Sequence, residues 1–197
     1  MYTKPTLATL KQSLADRHDS GTLPTDSATL SLWTRLLNRG VNYCINKLRI
    51  TQKTSVTTSS GTIALPTDFI LVNKVIDSAN SELEQIALDD AENAVVGQFW
   101  ISGSFTGGFY LNTKEDRVYD VYYTFHASPM VNDSDTCAFD DEEAVVAYAY
   151  GMLRKSESDP FEDSASSLAE CDSRLRELQD VYQINSEPLG FKILKNA

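Results

Sequence analysis

Apolar residues recur every three or four positions near both ends of the chain, and this spacing predicts helices. Two runs lie in the first 50 residues. The first follows Pro5, which a first helical turn tolerates, and the second follows Asp26 or Ser27, either of which can cap a helix. Two further runs lie in the last third. The four runs are Leu7, Leu10 and Leu14; Leu30, Trp33, Leu37, Val41, Cys44 and Leu48; Val145, Tyr148 and Met152; and Leu168, Cys171, Leu175, Leu178 and Tyr182. We expect their apolar faces to pack into a bundle built from both chain ends.

Polar and small residues refine the last two helices. Asp140 and Glu143 have the spacing of an acidic capping box, which marks a helix start. Small residues suited to close helix approach follow, namely Ala144, Ala147 and Gly151. In the last helix, opposite charges four residues apart predict ion pairs on the solvent side, worth about 0.2 to 0.5 kcal/mol each. These pairs are Glu170 with Arg174 and Asp172 with Arg176.

The middle of the chain has the pattern of strands. Threonine, valine, isoleucine and aromatic runs alternate there with glycine, asparagine and aspartate clusters. The clearest strand is 118–125, in which apolar and polar residues alternate. Residues 112–117 are predicted to form a hairpin turn before it, and residues 89–96 a short helix. Leu65-Pro66-x-Asp68-Phe69 is predicted to be a corner between paired strands, because proline removes a backbone donor and fixes its own φ.

These elements define an α+β fold in which an antiparallel β region is inserted into a helical bundle. The predicted divisions are residues 1–50 for the N-terminal helices, 51–127 for the β region, 128–182 for the C-terminal helices and 183–197 for an extended tail. A chain of 197 residues suits one substantial core.

The charge balance argues against a protein that grips nucleic acid. The formal net charge is −11, whereas phosphate binding depends on a basic patch. The three cysteines form no CxxC pair, which argues against a disulfide framework or a cysteine zinc site. No long apolar run or signal-peptide pattern occurs, so we expect assembly in the cytoplasm.

Enzyme signatures are missing from the sequence. It contains two histidines, His18 and His126, and none of the HExxH, GxSxG or GxxxxGK[ST] motifs. The acidic run 133–143 is similar in composition to a calcium-binding loop. Counted from Asp133, however, the sixth position is Ala138 and the twelfth is Ala144, where such a loop needs glycine and glutamate. We expect no enzyme activity, cofactor or metal. An alternative function is a monomeric ligand-binding module that uses the strand aromatics Tyr110, Tyr122 and Trp100.

The order of these elements resembles a known family. Six features follow one another along the chain: a helix with Trp33-x-Arg35-x-Leu37-Asn38, a threonine-rich strand, the Leu65-Pro66-x-Asp68-Phe69 corner, a Phe/Trp-Ile-Ser-Gly hairpin, a tyrosine-rich strand and an acidic helix start at 140–144. In this order of elements, residues from about 5 to 182 resemble the head-to-tail adaptor proteins of tailed bacteriophages, also called connector or tail tubular proteins.

The resemblance implies a structural virion protein. Such adaptors form a ring, usually of twelve, beneath the portal, extend the DNA channel and carry the next tail or nozzle protein. DNA would pass through the lumen without specific binding, with Glu115 and Asp116 as candidate channel-facing residues. Candidate residues for docking to the portal or a neighbouring subunit lie in the apolar tail: Leu189, Phe191, Ile193, Leu194 and Lys195.

Overall fold

A computed structural model describes residues 4–18, 21–104, 106–156 and 161–186, with the backbone only for residues 161–163 and 180–186. The chain divides into two compact units. Residues 49–126 form a β unit, and the residues before 49 and after 126 form a helical unit. The fold is therefore α+β, with the β unit inserted between helices.

Four helices make up the helical unit: α1 (Leu7–His18), α2 (Ser27–Leu48), α3 (Glu142–Ser156) and α4 (Phe161–Ser186). The predicted apolar runs give their buried faces. Leu7, Leu10, Leu14, Leu37 and Cys171 are all fully inaccessible to solvent. Helix α3 packs against the other three helices, so it lies at the centre of this unit. Helix α4 continues to Ser186, beyond the predicted boundary at residue 182.

Two glycines allow the helices to approach closely: Gly151, which the small-residue pattern predicts, and Gly40, which that pattern does not include. A Cβ atom on Gly151 of α3 would lie 2.9 Å from Leu168 Cγ and 3.2 Å from the Ser164 carbonyl oxygen of α4. A Cβ atom on Gly40 of α2 would lie 3.0 Å from the Val145 carbonyl oxygen of α3. Both contacts are tighter than ordinary van der Waals packing, so a Cβ atom at either position would force its neighbours to shift.

Aspartates cap α2 and α3. The backbone N–H of Thr29 donates to Asp26 Oδ1 at 2.7 Å, and this bond lowers the pKa of Asp26. At α3 the prediction of Asp140 is wrong by one residue, because the Ala144 N–H donates to Asp141 Oδ1 at 2.9 Å. The other Asp141 oxygen accepts from Arg174 of α4 at 3.0 Å.

Arg174 therefore does not pair as predicted. It contacts Asp141, Glu143 and Glu177, whereas Glu170 pairs with Arg17 of α1. The i, i+4 spacing identified the charged residues of α4, but the predicted partner of Arg174 is replaced by Glu177 on the same helix and by Asp141 and Glu143 at the start of α3. These contacts tie α4 to α1 and to the start of α3.

In the described part of the β unit there are seven strands and one short 3₁₀ helix, Leu88–Asn93. The strands are β1 (Thr51–Thr57), β2 (Thr62–Ala64), β3 (Phe69–Asp77), β4 (Glu84–Gln85), β5 (Gln98–Ser104), β6 (Gly108–Thr113) and β7 (Val118–Phe125). They form a three-stranded sheet in the order β1-β7-β3 and a four-stranded sheet in the order β2-β6-β5-β4. All pairs are antiparallel except the two-residue pair β4–β5, which is parallel and was not predicted.

Two predicted connections join different sheets. Residues 112–117 do not form a hairpin turn, because β6 pairs with β2 and β5 whereas β7 pairs with β1 and β3. The Leu65–Phe69 corner also connects β2 of one sheet to β3 of the other, so its flanking strands are not paired with each other. Phe69 contacts Phe109 edge-on across this junction, with ring centroids 5.5 Å apart.

Candidate assembly surfaces

The acidic residues predicted to face a channel lie in the connection between β6 and β7. Asp116 accepts backbone N–H bonds from Ser60 at 3.0 Å and Gly61 at 2.6 Å, so its carboxylate fixes the β1–β2 turn. Glu115 pairs with Arg117 at 2.5 Å. Asp116 is exposed and Glu115 is half-buried. Asp116 therefore has a structural role in addition to its charge.

An irregular segment, residues 127–141, crosses the helical unit and is held by two asparagines of α2. Asn38 clamps the backbone of Met130: its Oδ1 accepts the Met130 N–H at 2.8 Å and its Nδ2 donates to the Met130 carbonyl at 2.9 Å. Asn42 Oδ1 accepts the Ala127 N–H at 2.8 Å. No role was predicted for these asparagines, although Asn38 belongs to the Trp33–Asn38 motif.

Carboxylates of the acidic run in this segment already have protein partners. Asp133 pairs with Lys11 at 2.7 Å, and Asp140 pairs with Lys4 at 3.4 Å. Asp135 Oδ2 accepts the N–H groups of Val131 and Asn132, and these bonds lower the pKa of Asp135. Among the residues that the structure describes, no three His, Cys, Asp or Glu side chains come together in a way that could hold a metal ion.

Among the described residues, the most exposed large apolar side chains lie in two places that could serve as contact surfaces. On the helical unit, Val131 at the outside of the 127–141 segment is 73% exposed. On the β unit, Leu88, Val95 and Val96 surround the 3₁₀ helix and are each more than half exposed. Burial of exposed apolar side chains by a partner is energetically favourable, so both places are candidates for protein contacts.

The strand aromatics proposed for ligand binding are not brought together. Trp100 and Tyr110 lie on one face of the four-stranded sheet, since Trp100 pairs with Asn112 and Tyr110 with Ser102. Tyr122 belongs to the three-stranded sheet. There it lies near two lysines, Lys53 and Lys74, whose Nζ atoms are 5.8 Å and 6.0 Å from its ring centre. The three rings therefore do not form a single binding face.

The cysteine thiols lie in the interior of the helical unit. Cys44, Cys137 and Cys171 are all buried. Burial raises the pKa of Cys137 to about 11, so its thiol stays protonated at neutral pH. A hydrogen bond with Cys171 and burial both raise the pKa of Cys44. Because the thiolate is the reactive form, Cys44 and Cys137 have the properties of packing residues.

The predicted docking residues Leu189, Phe191, Ile193, Leu194 and Lys195 lie outside the described residues. The last described residue is Ser186, where α4 ends. The eleven residues that follow contain this whole set.

Comparison with known proteins identifies the class. The family model described as SU10 adaptor protein matches residues 5–189, which is nearly the whole chain. The chain belongs to this family, and the predicted relation to phage head-to-tail adaptors is confirmed. It is a phage adaptor and thus a component of the virion. No curated protein matches the chain. Within the described ranges, no helix has the length and apolar character needed to cross a membrane.

Proposed function

We propose that this adaptor assembles into a ring of twelve subunits beneath the portal, extends the DNA channel and provides the docking surface for the downstream tail or nozzle protein. The family match over residues 5–189 is the observation that carries this proposal. In the ring, α1 to α4 of each subunit act as a helical bundle. The protein has a structural role and catalyses no reaction.

The charge of the chain supports a DNA-conducting role. With a net charge of −11, a ring of such subunits would repel phosphate, so DNA could move through the lumen without adhering. We place Glu115 and Asp116 at this wall. The test is Glu115→Lys, because Asp116 also holds the β1–β2 turn. We expect slower genome release with normal assembly, and Asp16→Lys, at an exposed position of α1, is the matched control. Equal release by both variants would contradict the placement.

Contacts between subunits and with the portal require surfaces that are incomplete in the single chain. The exposed apolar side chains at Val131 and around the 3₁₀ helix meet this requirement. So does the tail, whose apolar residues would not be favoured in a free, solvated terminus. We propose that this tail docks to the portal or to a neighbouring subunit.

Location in the virion tests the proposed function. Antibodies raised against the purified chain, coupled to gold and imaged on disrupted particles, should label the junction between head and tail. A control antibody against the major capsid protein should label the head. Gold confined to fibres or to the capsid surface would contradict a role as a portal-proximal ring.

A further inference from the structure

The outer edge of β1 has no backbone partner among the described residues. β1 lies at one side of the three-stranded sheet and pairs only with β7. Five of its seven residues are exposed. An uncovered strand edge presents a row of unpaired N–H and C=O groups, which is a template for another strand.

This edge lacks the features that usually protect edge strands. β1 contains no proline or glycine and pairs with β7 without a register shift from Thr51 to Thr57. Its one charged side chain, Lys53, is neutralised by Asp120 at 2.8 Å. The opposite edge, that of β3, has two register shifts, and residues 81–83 pair with its last three residues, 75–77. Only β1 therefore offers a long, regular and open edge within the described part of this sheet.

The hydrogen-bond alternation shows which groups point outward. Thr58 N–H donates to the Arg117 carbonyl of the β7 side at 3.1 Å. In an antiparallel pair every second residue bonds the partner strand, so Gln52, Thr54 and Val56 face β7. The remaining residues direct their N–H and C=O groups to the free edge: Thr51, Lys53, Ser55 and Thr57. Beside this edge, the side chains of Thr54 and Val56 are only half-buried on the apolar face of the sheet.

The C-terminal tail has the composition and length to cover this edge. Leu189 to Lys195 is a seven-residue segment, the same length as β1, and its apolar residues have side chains on both faces of an extended chain. In such a chain, Phe191 and Ile193 share a face and could extend the apolar surface at Val56. The two lysines, Lys192 and Lys195, would approach a protein whose net charge is −11.

We infer that the tail of one subunit adds as a strand to the β1 edge of a neighbouring subunit and so links the ring. This inference rests on the proposed function, because it names the partner of the docking tail. Main-chain bonds to the four outward-facing residues supply the affinity, and the apolar side chains of the tail set the register.

Cross-linking of chains that each carry one added cysteine tests the geometry. Full-length Ser55→Cys and Lys192→Cys are mixed and treated with a short bis-maleimide. The native thiols are buried and give the background in the wild-type chain. We expect a heterodimer at least tenfold above that background. The matched control replaces Ser55→Cys with Ser166→Cys, which is exposed on α4 outside the proposed contact surfaces, and should cross-link at background level.

Hydrogen exchange tests the bonds themselves. The double variant Phe191→Asp, Ile193→Asp alters only the tail, so folding of the two units should be unchanged. In the wild-type assembly the amides of Lys53, Ser55 and Thr57 should exchange at least tenfold more slowly than in this variant. The amides of Thr54 and Val56, which bond β7, should be the same in both. A general stabilisation of the β unit would slow the exchange of all these amides and would not produce this alternation between outward-facing and β7-bonded amides.

The outcomes separate this inference from the proposed function. Background cross-linking, or equal exchange at the outward amides, overturns the tail-to-β1 contact. Cross-linking within one chain of the double variant Ser55→Cys, Lys192→Cys, without heterodimers from the single variants, also overturns it in favour of a tail bound to its own subunit. The ring mass, measured on the same samples, shows independently whether the proposed assembly stands.

Discussion

Asp141 links the start of α3 to α4, and its replacement should show how much this link stabilises the helical unit. Its side chain is 8% exposed, with one oxygen on the Ala144 N–H and the other on Arg174. Loss of the cap costs about 1 kcal/mol. A charge-assisted bond to a buried carboxylate adds about 1 to 2 kcal/mol after allowance for Arg174, which is 39% exposed.

Three variants separate these two contributions. Asp141→Ala removes both bonds and should lower the free energy of unfolding by about 2 to 3 kcal/mol. Asp141→Asn keeps an acceptor for the Ala144 N–H but loses the charge, and should cost about 1 to 2 kcal/mol. Asp140→Ala is the control. Asp140 is half-exposed and pairs with Lys4, itself half-exposed, at 3.4 Å, so the loss should be under about 1 kcal/mol.

The assay is urea unfolding followed by tryptophan fluorescence. The chain has two tryptophans, Trp33 in the helical unit and Trp100 in the β unit. A Trp100→Phe background therefore leaves fluorescence that reports the helical unit alone. Equal losses for Asp140→Ala and Asp141→Ala, or a loss below about 0.5 kcal/mol for Asp141→Ala, would refute the assignment of Asp141 as cap and partner of Arg174.

Three further predictions concern the helical unit. Leu175→Ala removes a buried side chain of α4 and should destabilise by about 2 to 5 kcal/mol in urea melts; a loss under about 1 kcal/mol would place the residue on the surface. Gly151→Ala should lower the thermal midpoint despite the better helix propensity of alanine, because its Cβ would meet α4, and a raised midpoint would contradict the close approach. Hydrogen bonds from backbone N–H groups lower the pKa of Asp26 and Asp135. The stabilisation from these bonds is present above the unfolded-state pKa of about 3.9 and is lost as pH falls through the folded-state pKa values. Urea midpoints should therefore decline below about pH 4, and a decline confined to higher pH would contradict this origin.

Helix positions were predictable because each helix buries one stripe of side chains, and that stripe leaves a period in the sequence. Caps were harder to place. Asp140 and Asp141 are adjacent acidic residues, and only the backbone geometry shows that the second one accepts the Ala144 N–H. The partners of Arg174 were also beyond the sequence, because they depend on which helices lie side by side.

Strands were predictable one at a time, but their pairing was not. Alternation gave β7 its bounds, Val118–Phe125. The turn signals around residues 66 and 112–117 mark changes of direction and carry no information about which strand lies alongside. Both connections therefore looked like local corners, whereas each passes from one sheet to the other.

The contact surfaces were predictable only in part. Asn38 and Asn42 fall outside the apolar stripe of α2, which suggested no role, yet they bind the backbone of the 127–141 segment. Amides at positions beside a buried stripe could have indicated such contacts. The edge of β1 could not be recognised from sequence, since an open edge is defined by the strand that is missing beside it.

The most direct test of the ring is a mass measurement by mass photometry, on the full-length chain alone and after addition of the portal protein of the same phage. We predict a discrete species, either in the free chain or on the portal, that contains about twelve copies of the 21.9 kDa chain. A chain that remains at 21.9 kDa in both samples, with no mass added to the portal, would contradict the proposed ring.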